Sequence, residues 1–246
     1  MSDTLTVRIA VVSDIHSNLV ALDAVLAEIG AIDGLWHLGD VVGYGPEPDA
    51  VVARLRDLGA VGVRGNHDAA AVGGDEIEYF NADARRAMEW TRKTIGSDTR
   101  AWLGALPERR IDGDFELVHG SPRDPTWEYV TTAPVARLNL ELLEAPFGLH
   151  GHTHLPSVFR DEDGLVEMLS PSSGSSLTLD GRRILANPGS VGQPRDGDPR
   201  ASALVLDLER QELTWYRVAY DIAAVQSAMR RRRLPDRLVE RLSHGL

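Results

Sequence analysis

Residues 7–40 read VRIAVVSDIHSNLVALDAVLAEIGAIDGLWHLGD, and their periodicity sets the architecture. Val7 to Ser13 is a nearly continuous apolar run, which suits a strand covered on both faces. From Ser17 to Ile29 the apolar residues Leu19, Leu22, Val25, Leu26 and Ile29 fall at helical spacing, with Gly30 as the stop. Leu35 to Leu38 reads as a second strand. Working outward, Pro46 and Pro48 open a helix over Asp49 to Leu58 that Gly59 ends, and Ala60 to Val63 is a third short strand. Strands alternating with helices predict α/β layering.

Further along, Ala82 to Thr94 and Ser97 to Ala105 read as helices, Arg109 to Val118 as a hairpin about Asp112-Gly113-Asp114, Val135 to Leu143 as an amphipathic helix and Phe147 to His150 as a strand. After Pro156 short strands near Ser157–Arg160, Val166–Met168, Ser175–Leu179 and Arg183–Ala186 are divided by Gly, Asp and Ser turns. Ala203–Leu208 and Glu212–Val218 form a hairpin-like pair, and helices follow from about Asp221. The expected fold class is α/β (α+β by some schemes): a four-layer αββα sandwich with two mixed sheets face to face. Residues Ala69 to Asp83 leave room for a modest flap but no cap domain. A single domain over 1–246 is expected, although the length would also accommodate two small ones.

The polar residues sit where strands end. Asp14 and His16, two apart in extended chain, can aim at one ion. Asp40 follows the second strand, Asn66, His67 and Asp68 follow the third, and His119 follows Phe115–Val118. His152 and His154, again two apart, follow Phe147–His150. Strand exits are where ligand sites form in open α/β sheets. Each piece alone is more commonly a turn or a surface pair than a functional group; the ordered set of five, all at strand exits, is not explained that way. With no cysteine in the chain, a metal would be held by N and O ligands.

The series Asp14-x-His16, Gly39-Asp40, Gly65-Asn66-His67-Asp68, His119 and Gly151-His152-Thr153-His154 resembles the calcineurin-like metallophosphoesterase superfamily over about residues 7 to 195. The stretches after Asp40 and from Asn187 to Arg195 resemble its small bacterial phosphodiesterase-like subgroup. The resemblance implies two central sheets flanked by helices. It implies that Asp14, His16 and His154 hold one metal, that Asn66, His119 and His152 hold the other, and that Asp40 bridges them. His67 would stand near the leaving group, with Asp68 supporting it. Two divalent ions are implied, manganese first, with iron, zinc or nickel also suited to imidazole and carboxylate. The implied chemistry is hydrolysis of a phosphate ester by hydroxide, with His67 donating to the departing oxygen. A small-molecule or nucleotide-like diester is the preferred substrate; a protein or nucleotide monoester is the alternative, and a non-catalytic metal-binding scaffold on the same fold is a second.

Around that set, Tyr44 in Gly43-Tyr44-Gly45-Pro46 either covers the substrate or merely shapes a tight loop. Arg64, Arg123 and Arg195 are candidate phosphate clamps, each equally a surface salt-bridge former. The loop from Asn187 to Arg195 is read either as an anion-binding nest or as an ordinary loop closing the second sheet. Trp127 and Tyr129 are expected in the core rather than on the pocket wall, His37 as a hydrogen-bonded core histidine, and His150 beside the ligands. His244 carries no signal. Arg230 to Arg233 reads as a solvated helix face or an anionic-partner patch.

The chain carries a formal charge of −11 and 43% hydrophobic residues. That balance, with no basic stripe interleaved with aromatics, disfavours a dedicated nuclease or nucleic-acid binder. No run of eighteen apolar residues is present, so no membrane partner is expected. Met1 to Arg8 lacks the features of a signal peptide, which makes cytoplasmic residence the expectation. A homo-oligomer is compatible with the sequence.

Overall fold

The computed structural model describes residues 7–246. Among the described residues twelve strands form two six-stranded sheets. The first sheet has the order β3-β2-β1-β11-β12-β9, from β1 (Arg8–Val12), β2 (Gly34–His37), β3 (Val61–Gly62), β9 (Ser176–Thr178), β11 (Ala201–Asp207) and β12 (Glu212–Val218). The second has the order β4-β5-β6-β10-β7-β8, from β4 (Arg109–Asp112), β5 (Phe115–Val118), β6 (Phe147–Leu149), β7 (Ser157–Glu162), β8 (Leu165–Leu169) and β10 (Ile184–Asn187). Both sheets are mixed. β1, β2 and β3 run parallel to one another, as do β5, β6 and β10.

The alternation of side chains along β1 explains its unbroken apolar sequence. Ile9 and Val11 point into the layer between the sheets, where they join Trp36, Leu38, Leu204, Leu206 and Trp215 from the first sheet and Phe115, Leu117, Phe147 and Leu149 from the second. Ala10 and Val12 point the other way, against α1 (Leu19–Ile29) and α2 (Pro48–Asp57). On the outer face of the second sheet, Phe159 and Leu185 pack against Ala136 and Leu140 of α6 (Ala133–Leu142). The result is the expected helix–sheet–sheet–helix layering.

Element ends differ from the sequence reading by a residue or two, with one larger difference. Asn66 opens a helix, α3 (Asn66–Ala71), and a 3-10 helix spans Asp75–Tyr79 in the stretch expected to be only a flap. The N-cap is Gly65, which offers no side-chain oxygen, and Asn and Asp are weak helix formers. Only Ala69-Ala70-Ala71 signalled helix. α4 (Ala82–Thr94) and α5 (Ser97–Ala105) follow as expected. The chain closes with α7 (Ile222–Arg231) and α8 (Asp236–Glu240). The Arg230–Arg233 run is the exposed end of α7 and the turn that follows it. Among the described residues no helix is long and apolar enough to cross a membrane.

The inter-sheet layer should dominate stability. Leu117→Ala, at a fully buried position between the sheets, is expected to cost about 2–5 kcal/mol in urea unfolding. Leu165→Ala, on a side chain 76% exposed on edge strand β8, should stay within about 0.5 kcal/mol of the parent.

Candidate metal centre

Because β1–β3 are parallel, their carboxyl ends share one edge of the first sheet, and β5, β6 and β10 do the same in the second. Stacking the sheets brings those two edges together. The loop after β1 is laced to the loop after β2: Asp14 N donates to Gly39 O (3.1 Å), His16 N to Asp40 O (2.9 Å) and Ser17 N to Val41 O (2.9 Å). Across the sheets, His152 N donates to Asp14 Oδ2 at 3.1 Å. Asp14, His16, Ser17, Asp40, Tyr44, His152 and His154 all adopt positive φ between 47° and 62°. Such backbone is uncommon outside glycine and persists only where the surroundings over-determine it. Gly65 is required here by space, since a Cβ would collide with the Asp40 carboxylate.

Each buried carboxylate has one oxygen tethered and one directed at imidazoles. Asp14 Oδ2 accepts from Ser13 Oγ at 2.7 Å and from His152 N, while Oδ1 accepts no hydrogen bond and lies 3.2 Å from His154 Nε2 and 3.8 Å from His16 Nε2. Asp40 Oδ1 accepts from His67 N at 2.9 Å; its Oδ2 lies 3.6 Å from His16 Nε2 and 3.4 Å from His119 Nε2.

The imidazole tautomers are fixed from behind. The Nδ1 atoms of His16, His119 and His154 face the carbonyl oxygens of Val42 (3.2 Å), Leu38 (2.7 Å) and Gln193 (2.6 Å). A carbonyl can only accept, so each Nδ1 carries a proton and, in the neutral ring, each Nε2 presents a lone pair inward. The inward atoms therefore crowd as acceptors. His16 Nε2 is 3.2 Å from His154 Nε2, and His119 Nε2 is 3.1 Å from Asn66 Oδ1 and 3.0 Å from His152 Nδ1. Donors about 2.1 Å from one ion lie roughly 3.0–3.4 Å apart at octahedral or tetrahedral angles, which these spacings match. Converging lone pairs and carboxylates buried without cations call for positive charge.

Electrostatics carries the same message. Burial opposes charge on Asp14 and Asp40, yet the surrounding histidines hold both carboxyls below the usual carboxylate range. Burial likewise opposes a proton on His119, but Asp40 and Asp14 outweigh it and push the imidazole up to about 9. Burial lowers His16 and His154 and takes His152 down to about 3, leaving these rings neutral and able to ligate.

Three groups of ligand atoms lie within 4.8 Å of one another: Asp14, His16 and His154; Asp40, His119 and His152; and His16, Asp40 and His67. His67 therefore stands next to the ligand cluster, its ring stacked on Phe80 at 4.4 Å and edge-on to His16 at 4.8 Å. Asp68 does not support the His67 ring. Its oxygens accept from the amides of Val42 and Gly65, each at 3.1 Å, and His67 Nδ1 has no partner. Burial, then the Asp40 charge, pushes Asp68 up to about 7, against the pull of those two amides. Asp68 braces two site loops rather than a catalytic ring.

The ligand cluster opens into a cleft of about 800 Å3. Tyr44, Arg195, Trp127 and Tyr129 line it, so the latter two stand on the wall rather than in the core. Tyr129, 49% exposed, stacks on His152 at 4.0 Å. Arg64 and Arg123 do not line it. Arg64 pairs with Glu108 at 3.0 Å and Arg123 with Glu128, the salt-bridge reading that their sequence left open. The loop from Asn187 closes onto β1 instead of forming a nest: Val191 N and Gly192 N donate to Ser13 O and Asp14 O, each at 3.0 Å. His37 is buried but makes no side-chain hydrogen bond, lying instead against Trp102 at 5.5 Å. His150 is buried beside Asn187 Nδ2 at 3.4 Å. Tyr79, Phe80, Arg237, Arg241 and His244 also line the cleft. Nothing local in the sequence marks them, because their placement depends on how the flap and α8 dock.

Fold and site together define a hydrolase acting on phosphate esters, of the metal-dependent kind. The chain belongs to the calcineurin-like phosphoesterase superfamily, whose domain model matches residues 7–211. It is 38% identical over 244 residues to the uncharacterized protein MJ0912 of Methanocaldococcus jannaschii, covering 96% of this chain and 98% of that one. A crystal structure of a metallophosphoesterase from Sphaerobacter thermophilus superposes with a TM-score of 0.91 at 43% identity, over 98% of this chain and 100% of the other. A symmetrical bis(5'-nucleosyl)-tetraphosphatase of Aromatoleum aromaticum is 30% identical over 141 residues, which is 53% of this chain and 50% of that protein.

If Asp68 is a brace, Asp68→Ala should lower stability by about 1–3 kcal/mol for each amide left without an acceptor, with Asp68→Asn intermediate. Urea unfolding of Asp68→Ala at the parental midpoint would rule the brace out.

Proposed function

We propose that this phosphoesterase hydrolyses a small, nucleotide-like phosphodiester at a dinuclear divalent-metal centre. One ion would be held by Asp14, His16 and His154 and the other by Asn66, His119 and His152, with Asp40 between them and manganese the preferred metal. The observation that carries this reading is the untethered Asp40 Oδ2, which lies 3.6 Å from His16 Nε2 and 3.4 Å from His119 Nε2, His16 being grouped with Asp14 and His154 and His119 with His152. Asn66 contributes a neutral oxygen, which leaves more of the ions' charge for the substrate.

A pair of divalent ions, when bound, supplies an attacking water at neutral pH and offsets the charge of the phosphoryl oxygens. The protein's own residues do the rest. Asp14 and Asp40 each keep one oxygen on fixed N–H or O–H donors, so their free oxygens need no reorganisation during reaction. His67 lines the cleft. Burial drives its imidazole down to about 4, so in the free protein it is a neutral ring whose N–H can donate to the leaving oxygen. An arriving phosphate anion shifts that ring toward its protonated form. Arg195 lines the cleft and lies over Tyr44, 5.9 Å from its ring centroid, where its guanidinium would pair with a phosphate oxygen. The aromatic walls and the part-length similarity to a tetraphosphatase support a substrate with a planar group attached to phosphate.

The test is turnover of bis(p-nitrophenyl) phosphate by metal-stripped protein resupplied with each divalent ion. Asp40→Asn should remove most activity and metal-induced thermal stabilisation together, and His67→Ala should lower kcat about 10²–10⁴-fold while leaving the thermal shift on metal addition. Wild-type turnover in both variants would refute the assignment.

A further inference from the structure

The matched family domain ends at residue 211, yet the cleft does not. Residues of α8 and the turn after it form its remaining wall. Tyr44, Ala84, Ala87, Val225, Met229 and Leu238 share one buried cluster, which fixes α7 and α8 against both the site loop and α4. Gly197 N donates to Gly245 O at 2.9 Å and Gln226 Nε2 to Val239 O at 2.9 Å, so this wall is held at several points.

Arg237 and Arg241 are four residues apart at α8 and its C-cap, hence on one helix face, and both line the cleft with Arg195. None of the three pairs with an aspartate or glutamate among the described residues, unlike Arg64 and Arg123, which lie outside the cleft and pair with Glu108 and Glu128. Arg195 Nη2 donates to Gln193 Oε1 at 2.9 Å while its buried Nε has no partner among the described residues, and Arg241 Nε donates to a main-chain oxygen of Leu246, which also lines the cleft. Burial, then repulsion from Arg195, lowers Arg241 to about 10. Three carboxylates also line the cleft, Glu240 on this wall, Asp83 at the start of α4 and Asp40 among the ligands. Two guanidiniums on one helix face, opening into the same cleft as Arg195 and pairing with none of these carboxylates, can meet an anion together.

We infer that Arg237 and Arg241 form a second anion subsite, which binds a phosphate of the substrate other than the one being hydrolysed and so selects esters of di- or polyphosphates over simple diesters. This rests on the phosphoesterase reading above and names the substrate feature that reading lacks. A planar group on such a chain would meet the exposed Tyr79 and its neighbour Trp127, whose ring centroids are 5.6 Å apart.

Two measurements test it. In calorimetry on chelator-treated, dialysed protein, inorganic tripolyphosphate should bind, and Arg237→Ala or Arg241→Ala should weaken binding about ten-fold or more, with Arg241→Lys between. In kinetics, KM for a dinucleoside tetraphosphate should rise in these variants about ten-fold more than KM for bis(p-nitrophenyl) phosphate, with kcat little changed. Equal tripolyphosphate affinity in variants and parent, or none in the parent, overturns the subsite. Arginine-dependent binding in a protein that hydrolyses no phosphoester would instead sink the proposed activity and leave the subsite standing.

Discussion

Everything at this site follows from two carboxylates buried with their acceptors facing inward. Asp14 and Asp40 are excluded from solvent, each with one oxygen on a donor and the other on an imidazole edge whose proton points away. Left alone, such an arrangement would be strongly unfavourable. Asp40 and Asp14 raise the affinity of the buried His119 for a proton, which is the pull that a cation at this place would also meet. The family's metal dependence and the donor set therefore express the same electrostatic demand.

That demand also explains the backbone. Holding Asp14, His16, Asp40, His152 and His154 at positive φ costs on the order of 1–3 kcal/mol at each strained residue, and short loops alone would relax. The loops are instead bonded to one another and stand on strands buried on both faces. The inter-sheet layer of Trp36, Leu117, Leu149 and Trp215 thus has a function beyond stability, since it fixes the two strand edges whose separation sets the distance between imidazoles on opposite sheets.

The fold was largely legible because its signals are periodic. The unbroken run of β1, the helical spacing of α1 and the Gly and Asp turns of the second half each report local geometry that the sheets later reinforce. The ligand cluster was legible for a related reason: its members sit at strand exits, and strand direction fixes where those lie. What failed depended on contacts between distant segments. Asp68 follows His67 in sequence, but the start of α3 turns it toward the amides of Val42 and Gly65. Arg64, Arg123 and Arg195 look alike in sequence, and only the positions of Glu108 and Glu128 separate the first two from the third. Trp127 and Tyr129 read as core because aromatic composition cannot distinguish a wall from an interior.

The cleft has two sides of different origin. The metal-facing side is built from strand exits that the shared fold dictates. The opposite side comes from the Asp75–Tyr79 turn and from α8, which are tied to the site through Phe80 on His67 and through the cluster that contains Tyr44 and Leu238. Tyr44 belongs to both sides: it contacts the rings of His16 and His67 and packs in the cluster that carries the C-terminal helices. A change in how α8 docks would therefore be felt at Tyr44 and, through it, at His67. The ligand cluster is thus set by strand exits, while the opposite wall takes its position relative to the ligands from packing rather than from a tether of sequence.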